Sequence, residues 1–179
     1  ALSHYYYVIQ NDTDGDLAFD AAKNFAYVCK TIEEWQKAVE AYQIILERWG
    51  DAELEAQTIF DIAFCHFRDK KYEKAIQMFQ QSMQILEDGE LKAEAQYWLA
   101  ESYFGMENYE KAVTEFLKVS YNYNDYLQWA ALSELRAGQV YLEAGSIEKA
   151  KRLFNRIIDK YSASSDWGRE AVKILKELQ

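Results

Sequence analysis

The chain has 179 residues, half of them hydrophobic and 16% aromatic, and contains no proline where average usage would place about nine. That composition excludes collagen-like and proline-rich linker architectures, and the apolar bulk excludes intrinsic disorder, because its burial can offset the entropy of ordering the chain. With 30 acidic against 20 basic residues the net charge is −10, and no basic run interrupts it, so nucleic acid and anionic membrane surfaces are poor partners.

The chain opens at Ala1 without an initiator methionine or a signal-peptide pattern, which reads as a processed product or an excised fragment. No apolar stretch is longer than Tyr5 to Ile9, far short of the roughly 20 residues of a membrane span, so no membrane insertion is expected; Tyr5 to Ile9 reads as a short leading helix. Asn11 to Asp16 has some features of a calcium loop. With Gly15 at its sixth position, however, Gln10 would be the first ligand and Ala21 the twelfth, so it reads as a polar turn entering a helix. Helices are then expected at 16–30, 33–49, 52–68, 71–87, 91–105, 109–122, 126–144, 147–160 and 165–178. Thr31 with Glu34 makes a capping box, and Asn108 and Ser146 are N-caps. Gly105 and Gly145 suit left-handed helix ends, whereas Gly50 and Gly89 fall between longer units. Cys29 and Cys65 lie in apolar helical stretches and read as buried free thiols, which favours a reducing compartment.

One phrase recurs along the chain: Glu34-Trp35-Gln36-Lys37-Ala38-Val39, Lys71-Tyr72-Glu73-Lys74-Ala75-Ile76, Asn108-Tyr109-Glu110-Lys111-Ala112-Val113 and Ser146-Ile147-Glu148-Lys149-Ala150-Lys151. Its alanines (Ala38, Ala75, Ala112, Ala150) are spaced 37, 37 and 38 residues apart. Four residues beyond each stands an aromatic (Tyr42, Phe79, Phe116, Phe154), and twelve before each a small residue (Ala26, Ala63, Ala100, Gly138). Each period therefore reads as two helices. Small residues permit close approach of the helices, an aromatic fills the gap beyond, and an apolar face remains that only a neighbouring pair can cover. Gly138 fits this reading, since a mid-helix glycine costs about 1 kcal/mol against alanine and is best tolerated where bulk cannot fit.

These columns resemble the tetratricopeptide repeat, across about residues 14–165. The resemblance implies an all-α superhelical solenoid of four helix-turn-helix repeats (16–50, 51–88, 89–125 and 126–163) in a single domain, with a leading segment (1–15) and a capping helix (164–179). Two departures stand out. Gly50, Glu87, Asn124 and Ser162 occupy the positions where the family usually has proline, and the units run 37 to 38 residues instead of about 34. Unit length, Tyr97-Trp98-Leu99-Ala100 and the aromatics Trp49, Tyr123 and Tyr161 resemble a bacterial subgroup, the Tol-Pal-associated and outer-membrane assembly lipoproteins. That likeness implies a periplasmic or envelope location, against the cytoplasm suggested by the thiols.

Chemistry offers little. Asp61, Cys65 and Asp69 share a helical stripe beside His66 and read as surface acids with a buried thiol more readily than as metal ligands; no cofactor and no enzymatic activity are expected. The family's groove is lined by first helices. Carried over by register, its positions are Asp20, Lys23, Tyr27 and Lys30; Gln57, Phe60, Phe64 and Phe67; Glu94, Tyr97, Glu101 and Phe104; and Leu132, Leu135, Gln139 and Leu142. Lys23 and Asn24 suit a clamp for a C-terminal carboxylate, but Asp61, Glu94 and Trp98 do not. The middle of the set is aromatic and aliphatic, which points to a hydrophobic peptide or amphipathic helix as partner. The expectation is a non-catalytic scaffold in which alanine at Phe64 and Tyr97 removes binding and spares the fold. The alternatives are a self-associating homo-oligomer and a regulatory portion of a larger protein.

Overall fold

The computed structural model describes residues 2–12 and 15–178, the side chains of Ala52 and Glu53 apart, so Thr13 and Asp14 of the acidic turn lie outside the described residues. All regular structure described is helical, and it falls into two compact units, Ala1–Glu87 and Asp88–Gln179.

The first unit holds α1 (Leu2–Asn11), α2 (Asp16–Thr31), α3 (Trp35–Trp49), α4 (Ala52–Arg68) and α5 (Tyr72–Ile85), each packed on the next. Its core gathers Ile9, Phe25, Cys29, Val39, Ile45, Ile62 and Cys65 around the alanines of α2 and α3. The leading helix is thus present, held by Ile9 and by the Arg48 guanidinium, which donates to the Ile9 carbonyl at 2.8 Å. The second unit holds α6 (Glu90–Gly105), α7 (Tyr109–Asn122), α8 (Leu127–Glu143), α9 (Ile147–Tyr161) and α10 (Asp166–Glu177). Here α8 also touches α6 and α10, so first helices lie side by side.

The repeated columns form the core. Ala26, Ala38, Ala63, Ala75, Ala100, Ala112 and Ala150 are fully buried, as are Phe79, Phe116 and Phe154. Burying such a ring contributes roughly 1.5–3 kcal/mol. Gly138 is buried against Phe154, whose ring lies 2.5 Å from where a β-carbon would sit. Three residues past each aromatic, Ile45, Ser82, Val119 and Ile157 are also buried; Ser82 enters this apolar column because its hydroxyl donates to the Ala56 carbonyl at 2.8 Å.

Within each helix pair the chain turns the same way. Glu33, Lys70, Glu107 and Gly145 have positive φ, at 61°, 58°, 58° and 68°, and follow one another at the repeat spacing. In each, two backbone bonds close the helix end: Glu107 N–H to the Phe104 carbonyl (2.8 Å) and Asn108 N–H to the Tyr103 carbonyl (2.9 Å) are one instance. This is the Schellman arrangement, which satisfies carbonyls that a helix end leaves unpaired. Two expectations need correction. Gly105 is not the left-handed residue of its turn; it ends α6, and Glu107 takes that role. Thr31 and Glu34 form no capping box, because Thr31 still belongs to α2, where its hydroxyl donates to the Tyr27 carbonyl at 2.9 Å, and Glu34 is itself the N-cap. Asn108 does cap α7 through the Lys111 N–H, while Ser146 occupies the cap position of α9 without a side-chain bond.

The last helix is set by a close approach. Ser165 caps α10 by accepting from the Gly168 N–H at 3.0 Å, and the Ser162 carbonyl lies 1.9 Å from where a Gly168 β-carbon would be, so only glycine fits. Ser162 has φ 72°, which proline cannot adopt, and this gives one of the missing prolines a backbone cause.

Candidate functional site

The first helices carry the groove positions, and each unit presents its own set. In the first unit, Lys30 of α2 donates to Asp61 of α4 at 2.7 Å, and Gln57 reaches the other carboxylate oxygen at 3.3 Å. The Lys30 ammonium also stands over the Phe64 and Tyr42 rings, at 5.6 and 5.8 Å from their centroids. Tyr42, expected as packing, is half-buried; burial and the neighbouring Asp61 carboxylate hold its phenol above the ordinary value. Phe64 and Phe67 are half-buried and adjoin each other, and Arg68 lies over Phe64 and, at 4.9 Å, over Trp35. Tyr27 projects into solvent, 68% exposed.

In the second unit too an ion pair joins two first helices, with Arg136 at the register position that Asp61 holds in the first. Arg136 of α8 donates from Nε to Glu101 Oε1 at 2.6 Å and from Nη2 to Oε2 at 2.8 Å, a bidentate fork, while Nη1 reaches Gln139 at 2.8 Å. The Tyr97 hydroxyl donates to Glu101 Oε1 at 2.9 Å, and the guanidinium lies 5.2 Å above the Phe104 ring. Burial, with Glu101 beside it, holds the Tyr97 phenol above its ordinary value, so it remains a donor. Burial alone would lower the Arg136 pKa, but the Glu101 bonds outweigh it and the net shift is upward.

Three groove candidates belong to the core instead. Phe60 is packed edge-on against Phe79, Leu135 is 7% exposed, and Tyr97 meets Phe116 and Trp129 with 6% exposure. The physical reason is shared: these positions lie close enough to the small-residue column to turn under the neighbouring helix. Tyr97→Ala would therefore cost stability as well as contacts, against the expectation that it spares the fold. Phe64 and Phe67 on α4, Phe104 on α6, and Gln139 and Leu142 on α8 remain partly accessible. Sequence reading missed Arg136 and Trp129. The only signal for Arg136 was a lone base two residues before the small-residue position, where α4 has Asp61 and α6 has Trp98.

Among the described residues no three His, Cys, Asp or Glu side chains converge as metal ligands, and no helix is long and apolar enough to cross a membrane. Asp61 and Asp69 are directed to separate cations, Lys30 and Lys71. Cys29 and Cys65 are buried free thiols; burial pushes Cys65 up to about 12 and raises Cys29 as well.

No curated protein matches the sequence. Among solved structures, the kinesin light chain TPR-like repeats of Podosopora anserina superpose with a TM-score of 0.71 at 15% identity, over 92% of this chain and 88% of that one. YrrB, described as a TPR protein with an unusual peptide-binding site, gives 0.58 at 15% identity over 98% and 86%. A Rap protein complexed with competence and sporulation factor gives 0.64 at 19% identity, over 92% of this chain and 52% of that one. At these identities the likeness is one of fold. Three family models described as tetratricopeptide repeat match residues 17–88, 66–135 and 133–164, which together span the buried columns, and the chain belongs to the tetratricopeptide repeat family.

Proposed function

We propose that the protein is a non-catalytic scaffold that binds a peptide segment on the face of α6 and α8. Protein–protein interaction is the usual role of the fold, and two of the similar structures carry a peptide-binding site or a bound factor in their descriptions. The observation that carries the reading is the Glu101–Arg136 fork set between half-buried apolar side chains, with Phe104 beneath the guanidinium and Leu142 one turn from Gln139. Ion pairing holds the guanidinium over the ring, leaving Gln139 and the arginine edge to bond a peptide backbone while Phe104 and Leu142 take an apolar side chain. The occupant is therefore a hydrophobic or amphipathic segment.

Affinity capture from native lysate tests this. The parent chain should retain a partner that a Phe104→Ala, Leu142→Ala variant loses while melting close to the parent temperature; retention of the same partner by the folded variant overturns the reading. A self-associating alternative draws on exposed Tyr6, Tyr7 and Tyr27 in the first unit, and light scattering across a concentration series that finds only monomer removes it. The closer likeness to Tol-Pal-associated and outer-membrane assembly proteins is not supported by the comparisons and adds nothing to the proposal.

A further inference from the structure

We propose that the trough between α7 and α9, on the side of the second unit formed by its second helices, docks an acidic amphipathic segment of a protein partner. In an acidic chain α9 is the exception, with Lys149, Lys151, Arg152, Arg156 and Lys160 against Glu148 and Asp159. Four of these bases form one stripe: counted from the buried Ala150 they stand one before and two, six and ten after it. The same stripe on α5 reads Lys74, Gln77, Gln81 and Ile85, and no other second helix carries a base at all four positions. The charge is thus a property of this repeat and not of the fold.

The stripe borders two adjoining hollows of about 340 and 400 Å³ that share Leu117 and Arg156. Leu117 and Leu153 give them apolar surface, and Tyr121, 84% exposed, stands at the edge. Glu134, 2% exposed, lies at the floor and takes up two of the bases, with Lys160 at 3.1 Å and Arg156 at 3.5 Å. Lys149 and Arg152 have no carboxylate within salt-bridge distance among the described residues. Two unneutralised cations beside apolar hollows match a ligand that alternates carboxylates with apolar side chains. A polyphosphate chain or an anionic bilayer surface would gain the same two cations but has no apolar side chain to place against Leu117 and Leu153, so nothing would offset the repulsion of a net-negative protein. The equivalent cleft of the first unit, about 570 Å³, also has apolar lining, but of the stripe it keeps only Lys74, with Gln77 and Gln81 where the second unit has Arg152 and Arg156, and Glu55 beside them, so the cationic recognition belongs to the second unit.

The test is anisotropy of a short fluorescein-labelled peptide of leucines and glutamates in amphipathic order, titrated with the full chain at low salt. A glutamine-for-glutamate peptide, a single-stranded oligonucleotide and phosphatidylserine vesicles serve as the other arms. The glutamate peptide should bind and the glutamine peptide should not. Lys149→Glu with Arg152→Glu should weaken binding at least about tenfold, whereas Lys74→Glu at the same register in the first unit leaves it unchanged. Both reversed residues are exposed, and a milder Lys149→Gln, Arg152→Gln pair with an unchanged melt controls for folding. Equal binding by the charge-reversed chain, equal binding of the glutamine peptide, no binding of the glutamate peptide, or an oligonucleotide or vesicle bound as tightly overturns the proposal. The Phe104→Ala, Leu142→Ala variant keeps this binding, which separates it from the peptide face on α6 and α8.

Discussion

Gly138 shows how much one side chain decides. Three repeats have alanine at this position and the fourth has glycine, because the Phe154 ring stands where a β-carbon would go. Gly138→Ala gains about 1 kcal/mol of helix propensity but forces a fully buried ring aside, and overpacking of this kind costs about 1–3 kcal/mol. The variant should melt below the parent in a thermal scan, and adding Phe154→Leu should recover part of the loss, since the two substitutions share one space. Arg136 illustrates the opposite case, in which spacing gives no warning. It is one base among twenty, and its role appears only when α6 and α8 bring it within 2.6 Å of Glu101, 35 positions away.

At the scale of helices and turns, the left-handed residues set the geometry of every helix pair. A non-glycine residue there carries roughly 1–2 kcal/mol of steric cost. Lys70→Gly and Glu107→Gly should each raise the urea midpoint, by up to about 1 kcal/mol in stability after the added freedom of the unfolded chain is deducted, while Gly145→Ala should lower it. Unchanged midpoints in all three would show that the turns relax. The helix bounds were legible in the sequence to within about two residues, because amphipathic spacing continues up to each turn. The left-handed positions were not: three of the four are Glu or Lys, which ordinarily signal helix, and the two-bond closure of the helix end overrides that preference.

At the scale of the molecule, each compact unit has its own core. That of the second joins α6 to α10 through Phe116, Phe154, Val140 and Ile174, closed by a capped α10. Residues 88–179 expressed alone should therefore give a helical circular dichroism spectrum and a single cooperative melt; a broad, non-cooperative melt would show that this core does not suffice. Charge follows the same scale. The whole chain is acidic, yet the surplus is uneven, and α9 presents a cationic stripe that a net charge conceals.

What the sequence determined by itself was the repeat: small and aromatic residues in fixed register, without proline, require paired helices that stack, because no other arrangement buries all the columns at once. Where the missing prolines left the turns open, tertiary structure supplied the answer, with Ser162 at a positive φ and its carbonyl pressed against Gly168. Tertiary structure also decided which register-matched side chains are surface and which are core. Phe60, Tyr97 and Leu135 turn under a neighbour while Phe104 and Leu142 stay partly open, a difference set by how closely two helices approach and not by spacing along either one.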